Sequence, residues 1–134
     1  VNAYAEPVVS LDLDIIVAAE NIEAVCKASE AHFKIDRFAH SVNLSSDKSD
    51  LRIQLQTDPR YQDFIGRAAS HTVLGYHMRV ANVEDVLQGK IWAYLDEQRR
   101  KSKRQKDLAD IIRLTEEDSS LIDRIPASIK KRIE

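Results

Sequence analysis

The stretch VVSLDLDIIV, residues 8 to 17, limits the fold more than any other part of the chain. Alternation puts Val9, Leu11, Leu13, Ile15 and Val17 on one side, an all-apolar face that belongs against a core, so the segment is predicted to be a strand covered on that side. The same alternation projects Asp12 and Asp14 together from the opposite side, about 6 to 7 Å apart. Two carboxylates that close repel one another and are costly to desolvate. A divalent cation relieves the conflict: Mg²⁺ takes oxygen ligands, often one or two protein carboxylates, and completes its shell with water and substrate phosphates. A strand whose polar face is simply wet accounts for the spacing at least as well.

The pattern downstream alternates between the two periods. ENIEAVCKASEAHF (20–33) carries Ile22, Val25, Cys26 and Phe33 near helical spacing, with acids early, where the helix dipole prefers them. FAHSVNLS (38–45) and DLRIQLQT (50–57) read as strands joined into a hairpin by the polar SDKS. On the second of these, Leu51, Ile53 and Leu55 face the core, while Arg52, Gln54 and Gln56 face the other way. After Pro59, Tyr61, Phe64, Ile65 and Ala68 share a helical face, and YHMRVA follows as a short β segment. From Val83 onward two helices are predicted, roughly 83–100 and 106–117, joined by the basic run RRKSKRQK (99–106), with a small helix after Pro126.

The order supports an α+β fold, a mixed sheet flanked by helices with a helical C-terminal part. With 134 residues, 43% of them hydrophobic, one domain is expected, residues 1–82 forming an α/β core and 83–134 the helical part. Nothing approaches the roughly 18 to 20 consecutive apolar residues of a membrane span, and VNAYAEPVV has no signal-peptide pattern, so no membrane partner is expected. Twenty basic against 22 acidic residues leave a net charge of −2 and no overall field toward nucleic acid. The single cysteine, Cys26, has no internal disulfide partner, which fits a reducing compartment and a cytoplasmic location. Val1 is not an initiator methionine, and VNAYAEP has the pattern of a helix end stopped at Pro7, as expected of a fragment.

Two charged features sit on apolar faces. In EDVLQGKIWAYLDE, Lys90 falls between Val83 and Val86 on the helical wheel, inside the arc centred on Leu87. Its stem can pack while the ammonium reaches water, or the lysine can point into a cleft to meet an anion such as phosphate. In KDLADIIRL, Leu108, Ile111 and Ile112 form the inward face, with Asp107 at its edge and Asp110 one turn on, where acids of a first helical turn complement the dipole. Other chemistries lack their spacings: the four histidines show no zinc pattern, and no G-x-x-x-x-G-K-[ST] or G-x-G-x-x-G loop occurs.

Taken together, AYAEPVVSLDLDIIV, LRIQLQTDPRYQDF and VANVEDVLQGKIWAYLDEQRRKSKRQKDLADIIRL resemble the nucleotidyltransferase superfamily, in the small branch that includes the AbiEii-type toxins of toxin–antitoxin systems. The resemblance covers most of residues 3 to 115. It implies that Asp12 and Asp14 hold Mg²⁺ (or Mn²⁺) bridging the triphosphate of an NTP and help activate an attacking hydroxyl. It further implies catalytic roles for Lys90, facing the phosphates or the transferred group, and for Asp107, with substrate contacts from Lys90, Arg52, Gln54 and Lys106. RNA, a protein or a small molecule would accept the nucleotidyl group, and an antitoxin would be the partner.

Two departures bear on activity. The family's Gly-Gly or Gly-Ser turn before the D-x-D strand has no counterpart, since glycines occur only at 66, 75 and 89; a truncated start at Val1 would account for this. Gln54 stands where the family often has a third carboxylate, and an amide is the weaker metal ligand. A catalytically weakened relative serving as a partner module is therefore one alternative to the enzyme. A small nucleic-acid-binding domain using the basic run, with six cations in eight residues, is another.

Overall fold

A computed structural model of the chain describes residues 1–5, 12–73 and 75–134. Val9, Leu11 and Pro7, part of the expected first strand and helix stop, lie outside the described residues. The architecture is mixed α+β, as expected, and the chain divides into two compact units. One comprises Val9–Ala68; the other joins Val1–Val8 to Ala69–Glu134.

In the first unit, a four-stranded mixed sheet has the order β1-β4-β3-β2, with β1 (Asp12–Ile16), β2 (Lys34–Arg37), β3 (Ser41–Ser46) and β4 (Ser49–Gln56). β1 runs parallel to β4, and the other pairings are antiparallel. The expected hairpin is present as β3–β4, with an irregular register between Leu44 and Ser46. β2 has no expected counterpart: in its sequence KIDR only Ile35 carries an apolar signal. Val42 and Leu44 on β3 and Leu55 on β4 are buried, and Ile15, Ile53 and Ile35 pack against them.

α1 (Ile22–Ser29) supplies the covering layer, with Cys26 fully buried and Ile22 and Val25 packed around it. It is shorter than the expected 20–33. The chain first makes a 3-10 turn at Ala19–Asn21, and beyond Ser29 it turns so that Phe33 reaches the same core from outside the helix. Arg37 on β2 pairs with Glu23 of α1 at 2.9 Å. Gln62 clamps the exit of β1, its Nε2 donating to Val17 O at 3.0 Å while its Oε1 accepts from Ala19 N at 3.0 Å. Pro59–Tyr61 forms a 3-10 turn capped by Asp58, and α2 (Asp63–Arg67) buries Phe64.

The second unit contains the hairpin β5 (Ala69–Val73) and β6 (Tyr76–Val80), connected through Gly75, whose φ of +83° favours glycine. α3 (Val83–Leu95), capped by Asn82 Oδ1 accepting from Asp85 N at 2.8 Å, packs on α4 (Lys101–Glu117). A 3-10 segment at Ser119–Arg124 and α5 (Ala127–Ile133), the expected helix after Pro126, complete it. Leu87, Ile91, Tyr94, Ile111, Leu114, Leu121, Ile125 and Ile129 form one core. Each such side chain contributes about 1.5 to 3 kcal/mol of transfer free energy.

The boundary between the two long helices differs from expectation. α3 ends at Leu95, five residues early, and most of the basic run is the opening turns of α4 instead of a connection. Lys, Arg and Gln are good helix formers, and no Gly or Pro interrupts them. Cations in a first turn oppose the helix dipole. That cost is offset where Arg104 Nε donates to Tyr94 O at 2.7 Å and its guanidinium lies over the Tyr94 ring, 5.5 Å from the centroid.

Candidate metal and phosphate sites

The sheet unit brings part of the predicted site together. Parallel pairing places Asp14 abreast of Gln54 and Asp12 abreast of Arg52. Because Leu13 and Ile15 alternate with the aspartates, and Ile53 and Leu55 with Arg52 and Gln54, all four polar side chains project from the face opposite α1. Asp12, Asp14 and Arg52 are exposed, Gln54 half-buried. A shallow concavity of about 530 Å³ adjoins this face at the start of β1, lined by Asp12, Arg52 and the tip of the β3–β4 hairpin.

Among the described residues no cluster of three or more His, Cys, Asp or Glu side chains is arranged to hold a metal. The donor set that β1 and β4 bring together is two carboxylates and one amide, whose oxygens can act as ligands. It fits a hard cation such as Mg²⁺, which binds through few protein ligands and retains water. It carries less charge than three carboxylates would, and a softer cation that needs nitrogen or sulfur finds no ligand here.

In the helical unit, Lys90 and Asp107 meet, but as partners in an ionic cluster. Lys90 Nζ lies 2.9 Å from Asp110 Oδ2 and 3.4 Å from Asp107 Oδ1. Arg99 Nε approaches Asp107 Oδ2 at 2.7 Å, and Arg113 Nη1 approaches Asp110 Oδ1 at 2.7 Å while its Nη2 donates to Asn2 Oδ1 at 3.1 Å. The Asp107 side chain is only 2% exposed and that of Lys90 25%. Lys90 therefore does not snorkel to water; its ammonium ends on two carboxylates. Nor do Asp107 and Asp110 serve a helix N-terminus, because α4 starts at Lys101 and both lie beyond its first turn. Their position reflects the cations they meet. The cluster thus joins Lys90, Arg99 and Arg113 through Asp107 and Asp110.

Arg99 and Arg113 were not legible as parts of this cluster. The only sequence signal was the Asp110 to Arg113 spacing of three, which puts them on one helical face. Lys106, predicted to contact substrate, is exposed on α4. Within the basic run, the half-buried Arg99 and Arg104 are held by Asp107 and by the Tyr94 carbonyl, whereas Arg100, Lys101, Lys103 and Lys106 are exposed.

No family model matches the chain, and a search of curated proteins returns no match.

Proposed function

We propose that the chain is a nucleotidyltransferase-fold domain that transfers a nucleotidyl group from an NTP to a hydroxyl acceptor with Mg²⁺ or Mn²⁺. The observation that carries this reading is the D-x-D pair on an exposed strand face with Gln54 abreast of Asp14. Asp12, Asp14 and Gln54 would hold the cation, which supplies charge neutralisation at the phosphates and lowers the pKa of the attacking hydroxyl. Arg52, beside Asp12, adds a cation for the phosphate oxygens. In the transfer, the acceptor oxygen bonds to the α-phosphorus, the bond to the bridging oxygen breaks, pyrophosphate leaves, and the hydroxyl proton passes to a base. Lys90 would meet an anion in competition with its contacts to Asp107 and Asp110. The resemblance to AbiEii-type toxins extends the reading to an antitoxin partner.

A second reading, a weakened relative acting as a partner module, is favoured by two observations. Gln54 brings no charge to the strand pair, and Lys90 is already neutralised by two carboxylates. Calorimetric titration of Mn²⁺ into the wild type and the Asp12→Asn, Asp14→Asn variant, followed by incorporation from labelled NTPs, separates the readings. Metal binding lost in the variant together with turnover in the wild type supports the enzyme. Metal binding without turnover supports the module, and no difference in metal binding between the two proteins removes both metal-based readings.

A further inference from the structure

The sheet register extends the polar face beyond the two strands already discussed. Gln54 is paired on its other side with Asn43 of β3, and Asn43 with Asp36 of β2, so Asp14, Gln54, Asn43 and Asp36 form one row across all four strands. The buried neighbours of Asn43 fix its direction. Val42 and Leu44, each 4% exposed, point into the core under α1, so Asn43 between them points to the aspartate face, where it is exposed. At the far end of the row, Asp36 is within 3.9 Å of the Lys34 ammonium. With neighbouring strands about 4.8 Å apart, Asn43 stands about 10 Å from Asp14. Its amide offers donors and an acceptor, which the carboxylates of the row cannot do.

We propose that Asn43 is a specificity-determining residue that hydrogen-bonds the nucleoside of an NTP whose phosphates are held through the cation at Asp12 and Asp14. The proposal rests on the nucleotidyltransferase reading above. Continuity selects this occupant. A nucleotide anchored by its phosphates at one end of the row and lying across the strands would bring its ribose and base over Gln54 and Asn43. Gln54 and Asn43 are the neutral hydrogen-bonding groups next along the row. An asparagine amide matches a base edge or a pair of ribose hydroxyls, neither of which carries charge.

The test compares Asn43→Ala and Asn43→Thr with the wild type by calorimetry in Mn²⁺. The ligands are the four NTPs, a deoxy-NTP and inorganic tripolyphosphate. Asn43→Thr keeps strand propensity, and thermal melts of both variants establish folding. The expected result is an affinity for NTPs reduced about 3- to 10-fold with tripolyphosphate affinity unchanged. An equal loss with the deoxy-NTP assigns the contact to the base, and a loss confined to ribonucleotides assigns it to the ribose. Unchanged NTP affinity in both folded variants, or an equal loss for tripolyphosphate, overturns the role of Asn43 while leaving the metal reading in place. A wild type that binds neither NTP nor tripolyphosphate removes the nucleotidyltransferase reading and this proposal together.

Discussion

Lys90 Nζ lies closer to Asp110 Oδ2, at 2.9 Å, than to Asp107 Oδ1, at 3.4 Å, so the less buried carboxylate makes the shorter contact. Asp107 is held instead by Arg99, at 2.7 Å. Of these two cations Lys90 makes the longer contact with Asp107. Replacing it by Met should cost about 1 to 2 kcal/mol in urea denaturation, because the stem still packs and Arg99 still neutralises Asp107. If Lys90 also meets phosphate, tripolyphosphate affinity should fall at least tenfold in the same variant. Unchanged affinity in a wild type shown to bind would confine Lys90 to the ion cluster.

Asp107→Asn should be the more damaging change to stability. The side chain is 2% exposed and receives both Arg99 and Lys90; with its charge removed Lys90 keeps Asp110, but Arg99 loses the carboxylate it meets at 2.7 Å. Loss of one partner of a buried pair costs about 3 to 5 kcal/mol. A midpoint shift in denaturant below that expected for 1 kcal/mol would show that the cluster is electrostatically slack.

Gln54→Asp adds a third carboxylate abreast of Asp14. Without metal, repulsion between the two should lower the melting temperature. With Mn²⁺ the order should reverse, with binding strengthened about tenfold, or 1.4 kcal/mol. A glutamine form that already binds as tightly as the aspartate form would place Gln54 outside the coordination shell or make its amide an adequate ligand.

Asp58 gives a pH-dependent test in the sheet unit. Hydrogen bonds from the Arg60 side chain and backbone hold its carboxyl below the usual carboxylate range, against the opposing effect of burial. A depressed folded-state pKa means that its stabilisation is present above the unfolded-state value near 4 and lost as pH falls through the folded-state value. Asp58→Asn should therefore cost about 1 kcal/mol at pH 7, with the difference from wild type vanishing at low pH. A difference that persists unchanged into strong acid would assign the effect to packing.

How far the sequence disclosed this molecule depends on the length of each signal. β1, the β3–β4 hairpin and the helix after Pro126 were legible because alternation or a turn residue marked them. β2 and β5 were not: KIDR offers one aliphatic residue, and ASHTV is a short polar segment following a helix. The basic run masks a helix start: six cations in eight residues carry no apolar periodicity, although Lys, Arg and Gln favour the helix that α4 makes of them. At the candidate site, the shared face of Asp12 and Asp14 followed from periodicity alone. The parallel register that sets Gln54 beside Asp14, and Asn43 beside Gln54, is a non-local pairing that no local pattern encodes.

The position of β1 in the sheet has a kinetic consequence. β2, β3 and β4 pair with close neighbours in sequence, whereas β1 is an outer strand joined to β4 across everything between residues 16 and 49. Its docking carries the larger loop-closure entropy and belongs late in folding. The aspartates thus acquire Gln54 as a neighbour only as the sheet is completed, so a nascent or partly unfolded chain lacks the three-oxygen arrangement. Substitutions in Ile15 should then accelerate unfolding while leaving refolding rates nearly unchanged, and those in Val42 should slow refolding; the reverse pattern would place β1 in the nucleus.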